Sequence, residues 1–104
     1  MDRREMLAEI KRCLQAAHGD RLKGVILYGS EARGDARTDS DIDILVLLDD
    51  PVDVGEELMR NIKSLHPVSD RTDRHISTYP VSARKYETYD CPLFRQVHKE
   101  GVPL

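Results

Sequence analysis

The segment 41–48, with the sequence DIDILVLL, constrains the fold of this chain more than any other stretch. Side chains alternate between the two faces of a strand, so Asp41 and Asp43 share one face while Ile42, Ile44 and Val46 share the other. After Asp43 the residues are apolar on both faces, which is typical of a strand buried inside a sheet. The chain therefore has to build a sheet around this strand, with two aspartates at one end.

Hydrophobic periodicity and capping signals predict further elements on both sides of this strand. They predict helices over 3–17, 54–65, 83–87 and 92–100, strands over 25–28 and 75–79, and a turn with one helical turn over 29–40. This order of elements indicates an α/β (α+β) fold, in which helices pack on a small mixed β-sheet. We expect a single domain over 1–104.

Proline and histidine positions give further expectations. The helix that follows the N-cap Asp53 is expected to stop at His66-Pro67. Its expected inner stripe consists of apolar residues at helical spacing: Val54, Leu58, Ile62 and Leu65. The strand over 75–79 is expected to break at Pro80. We expect three histidines to be surface or cap residues: His18, His66 and His98.

Length and composition exclude several classes of protein. A 104-residue domain buries only about two thirds of its unfolded surface and is marginally stable alone, so a homodimer or a heteromer is plausible. A formal charge of −3 argues against bulk nucleic-acid binding, which needs many cations. Cys13 and Cys91 form no disulfide or metal-site pattern. The charged N-terminus is not a signal peptide and the longest apolar block is too short for a bilayer, so we expect a cytoplasmic protein.

A glycine and a serine follow directly on the first predicted strand. Gly29 permits a sharp turn, or the close approach of a ligand to the backbone, that a Cβ would block. If a helical turn begins near Ser30, its free N–H groups favour phosphate, and the Ser30 hydroxyl and the Arg33 guanidinium add donors. The segment is not a P-loop, because Asp35 and Ala36 stand where that motif has Lys and then Ser or Thr.

The carboxylates of Asp41 and Asp43 point the same way from Cα atoms that are about 6.5–7 Å apart on a strand. Two like charges held this close repel each other unless a cation lies between them. Mg²⁺ binds one or two carboxylates together with waters and substrate phosphates. A phosphate-binding turn beside this pair therefore indicates Mg²⁺–nucleotide chemistry, in which two ions about 3.5–4 Å apart are one known arrangement.

The string GSEARGDARTDSDIDILV, residues 29–46, resembles the signature of the minimal nucleotidyltransferases. These are the smallest members of the polymerase-beta-like nucleotidyltransferase superfamily, which also includes kanamycin nucleotidyltransferase. The shared pattern is Gly-Ser, a short spacer and Asp-x-Asp on the next strand, and the ending KEGVPL at 99–104 is also similar to that of short members. The resemblance implies the polymerase-beta-like nucleotidyltransferase fold.

The resemblance also implies roles for individual residues. Gly29 and Ser30 would bind the triphosphate, with Arg33 and Ser40 in the same nucleotide-binding set, and Ser40 also orients the loop before the aspartates. Asp41 and Asp43 would be catalytic and would hold Mg²⁺. A third carboxylate on a later strand would complete the metal site and act as the base for the acceptor hydroxyl. The products would be a nucleoside monophosphate ester and pyrophosphate.

The third carboxylate is not at its expected position, which falls on or near Ser77. On a strand Asp73, His75, Ser77 and Tyr79 share a face, so Asp73 is a candidate catalytic carboxylate if the register slips. His75 is an alternative base or ligand. If Ser77 is a true replacement, metal binding is weakened and the general base is lost, which typically costs about 10²–10⁴-fold in rate.

Two main functional hypotheses follow. The first is an Mg²⁺-dependent nucleotidyltransferase that transfers AMP from ATP to a protein acceptor. The resemblance implies that the partner is a helical HEPN-type protein and that the chain is the antitoxin of a toxin–antitoxin pair. The acceptor is expected to be brought by another protein, because no acceptor-binding half is recognisable. The second hypothesis is a decayed module of the same fold that acts only by binding protein or nucleotide. Modification of a small molecule such as an antibiotic is a weaker third hypothesis.

Overall fold

The computed structural model describes residues 1–37 and 40–104. Among these residues it contains a short 3₁₀ helix (Gly19–Arg21) and five α-helices: α1 (Arg3–His18), α2 (Ser30–Arg33), α3 (Val54–Thr72), α4 (Ala83–Thr88) and α5 (Pro92–Glu100). It also contains four strands: β1 (Leu22–Tyr28), β2 (Ile42–Leu48), β3 (Ile76–Ser82) and β4 (Val102–Pro103). The predicted elements are therefore confirmed in kind and order, and the short β4 is an element that the sequence did not predict.

The four strands form one mixed sheet in the order β3-β2-β1-β4. β2 is antiparallel to β1 and parallel to β3, while β4 is antiparallel to β1. The predicted central position of β2 is confirmed, since it has a strand on each side. Pairing of β4 with β1 leaves the Cα of Gly101 against Val97 and Ile26, where a Cβ would lie 2.7 Å from the Ile26 side chain.

Helices cover both faces of this sheet. On one face Ile42, Ile44, Val46 and Leu48 pack with residues of α1 and α3. On the other face Leu45 and Leu47 pack with residues of α4 and α5. The alternation predicted for β2 is thus confirmed. Asp43 is two residues from Leu45 on β2, so its side chain lies on the same face of the sheet as α4 and α5. Asp43 is only half-buried, because these helices do not cover that end of the strand.

The third helix runs past its predicted end. α3 continues through Pro67 to Thr72, so the predicted stop at His66-Pro67 is wrong. Pro67 is exposed, whereas Val68 is buried at 2% exposure within the core. A proline inside a helix loses one backbone hydrogen bond. Burial of Val68 and a final turn closed by the Ser69 and Thr72 side chains offset that loss.

The inner face of α3 also differs from the prediction. The buried residues are Glu57, Asn61, Leu65 and Val68, whereas Val54 and Ile62 are half exposed at 53% and 50%. Leu65 is the one member of the predicted stripe that is buried. The helix is rotated relative to the prediction because the hydrogen-bond and ion-pair partners of Asn61 and Glu57 lie on its inner side. A pattern of hydrophobic residues gives no information about such partners.

A buried polar cluster explains this rotation. His18, expected at the surface, is buried at the end of α1, and its Nε2 lies 2.6 Å from Oδ1 of Asn61. The Asn61 amide in turn donates to the Thr78 hydroxyl of β3 at 3.1 Å. Glu57 forms an ion pair with Arg21 at 2.5 Å. His66 and His98 are exposed, as expected.

We expect Asn61→Ala to destabilise the chain by about 2–3 kcal/mol. The substitution removes the partner of the buried His18 ring and of the part-buried Thr78 hydroxyl. Leaving a buried polar group unsatisfied costs about 1–3 kcal/mol, and the part-buried hydroxyl adds less because water can reach it. Ile62→Ala, at the next position on the exposed side, is the matched control and is expected to cost less than about 1 kcal/mol. Urea unfolding of both variants measures this. A larger cost for Ile62→Ala would contradict the observed rotation of α3.

The third strand also runs past its predicted end, because β3 continues through Pro80 to Ser82. The Ile42 N–H donates to the His75 carbonyl, so odd-numbered residues of β3 turn their backbone groups toward β2. Pro80 has the opposite parity, and β3 is an edge strand, so no ladder bond is lost there. The final segment is partly covered, because Val97 is buried and β4 pairs with β1.

Among the described residues, no helix has both the length and the apolar character needed to cross a membrane.

Candidate functional site

A tight turn follows β1 and contains the predicted single turn of helix. Gly29 has φ 75° and ψ −155°, a region that is essentially restricted to glycine. The helical turn α2 begins at Ser30 and is closed by Gly34 in the left-handed conformation, at φ 80°. The Arg33 N–H donates to the Gly29 carbonyl and the Asp35 N–H donates to the Ser30 carbonyl, both at 3.1 Å. The local sequence prediction is confirmed here.

The turn lies directly on one of the two predicted metal ligands. A Cβ built on Gly29 would be 3.3 Å from Cγ of Asp43 and closer still to one oxygen of that carboxylate. Gly29 is therefore required both by its φ angle and by the close approach to Asp43. The sequence-predicted phosphate turn and the predicted metal ligand are brought together.

Asp43 occupies a half-buried position between two neighbouring strands. It pairs with Tyr28 of β1 and with Ser77 of β3. Burial raises the pKa of Asp43, and the nearby charge of Asp41 raises it further. Burial also raises the pKa of Tyr28, with the charge of Asp43 as the second cause. Within residues 1–37 and 40–104, no side chain donates a hydrogen bond to the Asp43 carboxylate. The carboxylate is thus partly desolvated, and no side-chain donor of the described residues occupies it in place of a cation.

We expect Asp43→Asn to stabilise the chain at pH 7 by about 0.5 kcal/mol, a figure discounted for solvent screening. Since the folded pKa of Asp43 is raised, ionisation opposes folding. The gain from the variant should therefore vanish as pH falls through this raised pKa toward 3.8, the ordinary value. Urea unfolding across that range measures it. Asp49→Asn, exposed at the other end of β2, is the control. An equal gain from Asp49→Asn would remove the desolvation argument.

Asp41 lies just before β2 and is exposed, with its Oδ2 3.4 Å from Nδ1 of His75. His75 is exposed as well and precedes β3. The structure therefore brings His75 to the predicted pair of aspartates, next to Asp41.

The position beside Asp43 on β3 is occupied by Ser77, as the register of the two parallel strands shows. Asp73 does not share the face of Ser77. It caps the C-terminus of α3 in the left-handed conformation, at φ 54°, three residues before β3 begins. The alternative in which a register slip brings Asp73 onto this face does not occur, because α3 extends to Thr72 and Asp73 ends that helix. No cluster of three or more carboxylate, histidine or cysteine side chains suited to a metal ion is found over 1–37 and 40–104.

Two further predicted residues lie around the turn. The Arg33 guanidinium contacts Asp35 at 3.3 Å and Glu100 of α5 at 3.1 Å, and its charge lowers the pKa of Asp43. The Ser40 hydroxyl accepts a hydrogen bond from the Arg37 N–H at 2.9 Å, which is the loop-orienting contact expected for it. Two residues of the motif string, Thr38 and Asp39, lie outside the described residues.

A buried ion-pair network that the sequence did not indicate supports the turn. Glu31 is only 7% exposed and binds Arg3 of α1 at 3.1 Å and Arg74 at 2.5 Å. Burial alone would raise the pKa of Glu31, but hydrogen bonds from Arg74 and Arg3 outweigh it and hold that pKa below its ordinary value. No local signal could have found this pair, since 43 residues separate Glu31 from Arg74.

The donor set at this site fits a magnesium ion. Mg²⁺ prefers oxygen ligands and is held by one or two carboxylates together with substrate phosphates. Asp43 supplies a desolvated carboxylate and Asp41 supplies a second one whose charge affects it. Two carboxylates suffice for one ion, whereas the serine at position 77 leaves a second ion without a further protein carboxylate.

Comparisons with known proteins agree with this geometry. A model of the nucleotidyltransferase domain family matches residues 7–88. Two proteins of Methanocaldococcus jannaschii, both named as candidate protein adenylyltransferases, are similar over shorter stretches. One is 43% identical over 44 residues, which cover 42% of this chain and 44% of that relative. The other is 41% identical over 49 residues, which cover 47% and 49%. The chain thus spans less than half the length of either relative.

Solved structures are similar over nearly the whole chain. One described as a candidate minimal nucleotidyltransferase is 25% identical with a TM-score of 0.60, over 100% of this chain and 97% of that one. A toxin–antitoxin crystallised with AMP-PNP is 22% identical with a TM-score of 0.66, and the match covers 92% of this chain and 69% of that one. A complex of a tri-AMPylated HEPN toxin with an MNT antitoxin from Shewanella oneidensis is 19% identical with a TM-score of 0.64. That match covers 96% of this chain and 69% of the other. These matches confirm the expected polymerase-beta-like fold.

Proposed function

The chain belongs to the nucleotidyltransferase domain family, and on that basis we propose that it transfers AMP from ATP to a hydroxyl group of a protein. One observation carries the proposal: the backbone of Gly29 is packed against the Asp43 carboxylate. A turn suited to phosphate and a carboxylate suited to a divalent cation therefore share one edge of the sheet. Binding of a nucleotide through phosphates and Mg²⁺ requires this juxtaposition.

In the proposed complex the turn binds the triphosphate. Gly29 and Ser30 would approach the phosphate oxygens, and Arg33 would add a guanidinium. The current partners of Arg33, Asp35 and Glu100, are partly exposed. Exposed ion pairs contribute only about 0–1 kcal/mol, so exchange of one such partner for a phosphate oxygen costs little. Ser40 would act indirectly, by fixing the backbone before Asp41.

Asp41 and Asp43 would hold the magnesium ion. When bound, the ion neutralises the phosphate charge that develops during transfer. In the reaction the acceptor oxygen bonds to the α-phosphorus of ATP, the bond from that phosphorus to the β-phosphate oxygen breaks, and pyrophosphate leaves. No carboxylate beside Asp43 takes the hydroxyl proton, since the neighbouring side chain on β3 is the serine at position 77. The proton passes to solvent or to His75, which lies 3.4 Å from Asp41.

A protein acceptor is supported by the relatives. The two Methanocaldococcus jannaschii proteins are named as candidate protein adenylyltransferases. The Shewanella oneidensis structure joins an AMPylated HEPN toxin to an MNT antitoxin. We therefore propose a HEPN-type helical protein as acceptor and partner, and an antitoxin role for this chain.

Titration calorimetry with ATP tests the proposal first, because it needs no acceptor. Wild-type protein should bind ATP only with Mg²⁺, and Asp41→Asn/Asp43→Asn should not bind. Asp20→Asn/Asp49→Asn, which removes the same charge from exposed sites elsewhere, should bind like wild type. ATP labelled on the α-phosphate should then label a co-expressed HEPN partner. Absence of Mg²⁺-dependent binding in the wild type would refute the proposal.

A second candidate function is a decayed module that neutralises its partner by binding alone. Ser77 beside Asp43 favours it, because a third carboxylate would normally complete the metal site and serve as the base. The Asp41→Asn/Asp43→Asn variant separates the two functions. If that variant still neutralises the partner, transfer chemistry is not the means of neutralisation.

A further inference from the structure

The Arg74 side chain joins the two segments that form the candidate site. Its Nη1 donates to Oε1 of Glu31 at 2.5 Å, within α2. Its Nη2 and Nε donate to the Ser40 carbonyl at 2.8 and 3.3 Å, directly before Asp41. The side chain is only 15% exposed, so these contacts are little screened by solvent. One guanidinium thus spans from the phosphate turn to the aspartate strand.

On the turn side, the contact is made by a carboxylate that is almost wholly buried. The Glu31 side chain is 8% exposed and sits next to Ser30. A helix of four residues has no stability of its own, because nucleation of a helix is unfavourable. The position of α2 therefore depends on its tertiary contacts, among which the Glu31–Arg74 ion pair is more buried than the Glu31–Arg3 pair.

On the opposite side, the backbone of Arg74 is itself fixed. The Ser69 hydroxyl donates to the Arg74 carbonyl at 2.6 Å, and the Arg74 N–H donates to the Ser69 carbonyl at 3.3 Å. Asp73, before it, holds the left-handed conformation that ends α3. The guanidinium is thus anchored at the end of a 19-residue helix, and α3 sets the position of the turn relative to Asp41.

We propose that Arg74 is a positioning residue for the nucleotide site, with Glu31 as its partner, and this inference rests on the proposed function. Arg74 holds the turn of Ser30 and the backbone of Ser40, the residue before Asp41, at one fixed separation, so that triphosphate and metal are bound together. The role requires arginine. A planar guanidinium serves two partners with separate N–H donors, whereas a lysine ammonium is a single point charge.

Mg²⁺–ATP titration and amide hydrogen exchange of α2 test the role. Arg74→Ala is expected to weaken Mg²⁺–ATP binding about tenfold or more, since a charge-assisted hydrogen bond is lost. It should also accelerate exchange of the Arg33 and Asp35 amides about tenfold or more. Arg74→Lys should retain only part of the wild-type Mg²⁺–ATP affinity and only part of the protection of these amides from exchange. Arg71→Ala, an exposed arginine three residues earlier on α3, is the matched control and should change neither.

A double-mutant cycle with Glu31→Gln separates positioning from general stability. If the pair acts as one unit, Glu31→Gln/Arg74→Ala should be no weaker in binding than Arg74→Ala alone. Measurements below the unfolding temperature exclude loss of fold as the cause, and Glu31→Gln serves if Arg74→Ala does not fold. Wild-type affinity and wild-type exchange in folded variants would overturn the inference. If the wild type binds no nucleotide, the proposed function fails. Unchanged amide exchange in the Arg74 variants would separately refute the positioning role of Arg74.

Discussion

Replacing Gly29 with alanine is expected to lower the affinity for Mg²⁺–ATP by about 100-fold or more. It should also destabilise the chain by about 3 kcal/mol or more. Gly29 adopts φ 75° and ψ −155°, where side chains are strained by about 1–3 kcal/mol. The new methyl group would also lie 3.3 Å from Cγ of Asp43 and closer to its carboxylate oxygen. To relieve the clash, either the turn or Asp43 has to move, and both movements break the site.

Gly34 provides a matched control for this substitution. It also has a positive φ, at 80°, but a Cβ there would meet no atom within 4 Å. Gly34→Ala is therefore expected to cost about 1 kcal/mol from backbone strain alone and to leave nucleotide affinity within about threefold. Urea unfolding and titration calorimetry of both variants measure the difference. Equal losses for the two variants would show that contact between Gly29 and Asp43 is unimportant.

The sheet could be predicted from the sequence because a strand has a period of two. In β2 the alternation assigned Asp43 and Leu45 to one face and Ile42 and Ile44 to the other, and the two cores confirm this assignment. The register with β3 was only weakly specified, since that strand is polar and contains Pro80. The position expected on or near Ser77 agrees with the structure, in which Ser77 pairs with Asp43, whereas the slipped register that would bring in Asp73 does not occur.

The orientation of α3 could not be predicted for a different reason. A helix normally buries its apolar stripe, which would have placed Val54 and Ile62 inside. Instead α3 buries Asn61 and Glu57, which bind His18 and Arg21 of segments at least 36 residues away. Such partners are specified by tertiary structure alone, and no local pattern reveals them.

In the candidate site, too, the residues with local sequence signals could be predicted and those held by long-range contacts could not. Gly29, Ser30, Asp41 and Asp43 were found because glycine, serine and paired aspartates carry recognisable chemistry at short spacing. Arg74 was not found, because its contacts with Glu31 and Ser40 cross 43 and 34 residues of chain. Local chemistry therefore indicates what the candidate site is suited to bind, whereas long-range pairs such as Arg74 with Glu31 hold its segments together.

Ser77→Asp is expected to raise the rate of AMP transfer by about 10²–10⁴-fold, the usual contribution of a general base. Ser77 is half-buried and lies opposite Asp43 in the parallel register, so a carboxylate there joins the existing pair. In the proposed reaction it would accept the proton of the acceptor hydroxyl, for which the wild-type chain has no carboxylate beside Asp43. It would also add a third oxygen ligand for Mg²⁺, and metal affinity should rise with it.

The same substitution should have a cost in the absence of metal. Burial and the charge of Asp41 already raise the pKa of Asp43, and a further carboxylate beside it adds repulsion between like charges. We therefore expect Ser77→Asp to lower the unfolding temperature without Mg²⁺ and to regain stability as Mg²⁺ is added. Ser77→Asn, which has nearly the same shape without the charge, should show neither the loss nor the recovery.

Transfer of α-labelled phosphate to a co-purified partner measures the rate in both variants. A gain in Ser77→Asp but not in Ser77→Asn would mean that the wild-type site binds nucleotide correctly and lacks only its base. Unchanged transfer in Ser77→Asp, despite the expected Mg²⁺-dependent stabilisation, would mean that proton removal does not limit the reaction. Absence of transfer in the wild type and in both variants would favour the decayed module, because a restored carboxylate would then find no productively bound nucleotide to act on.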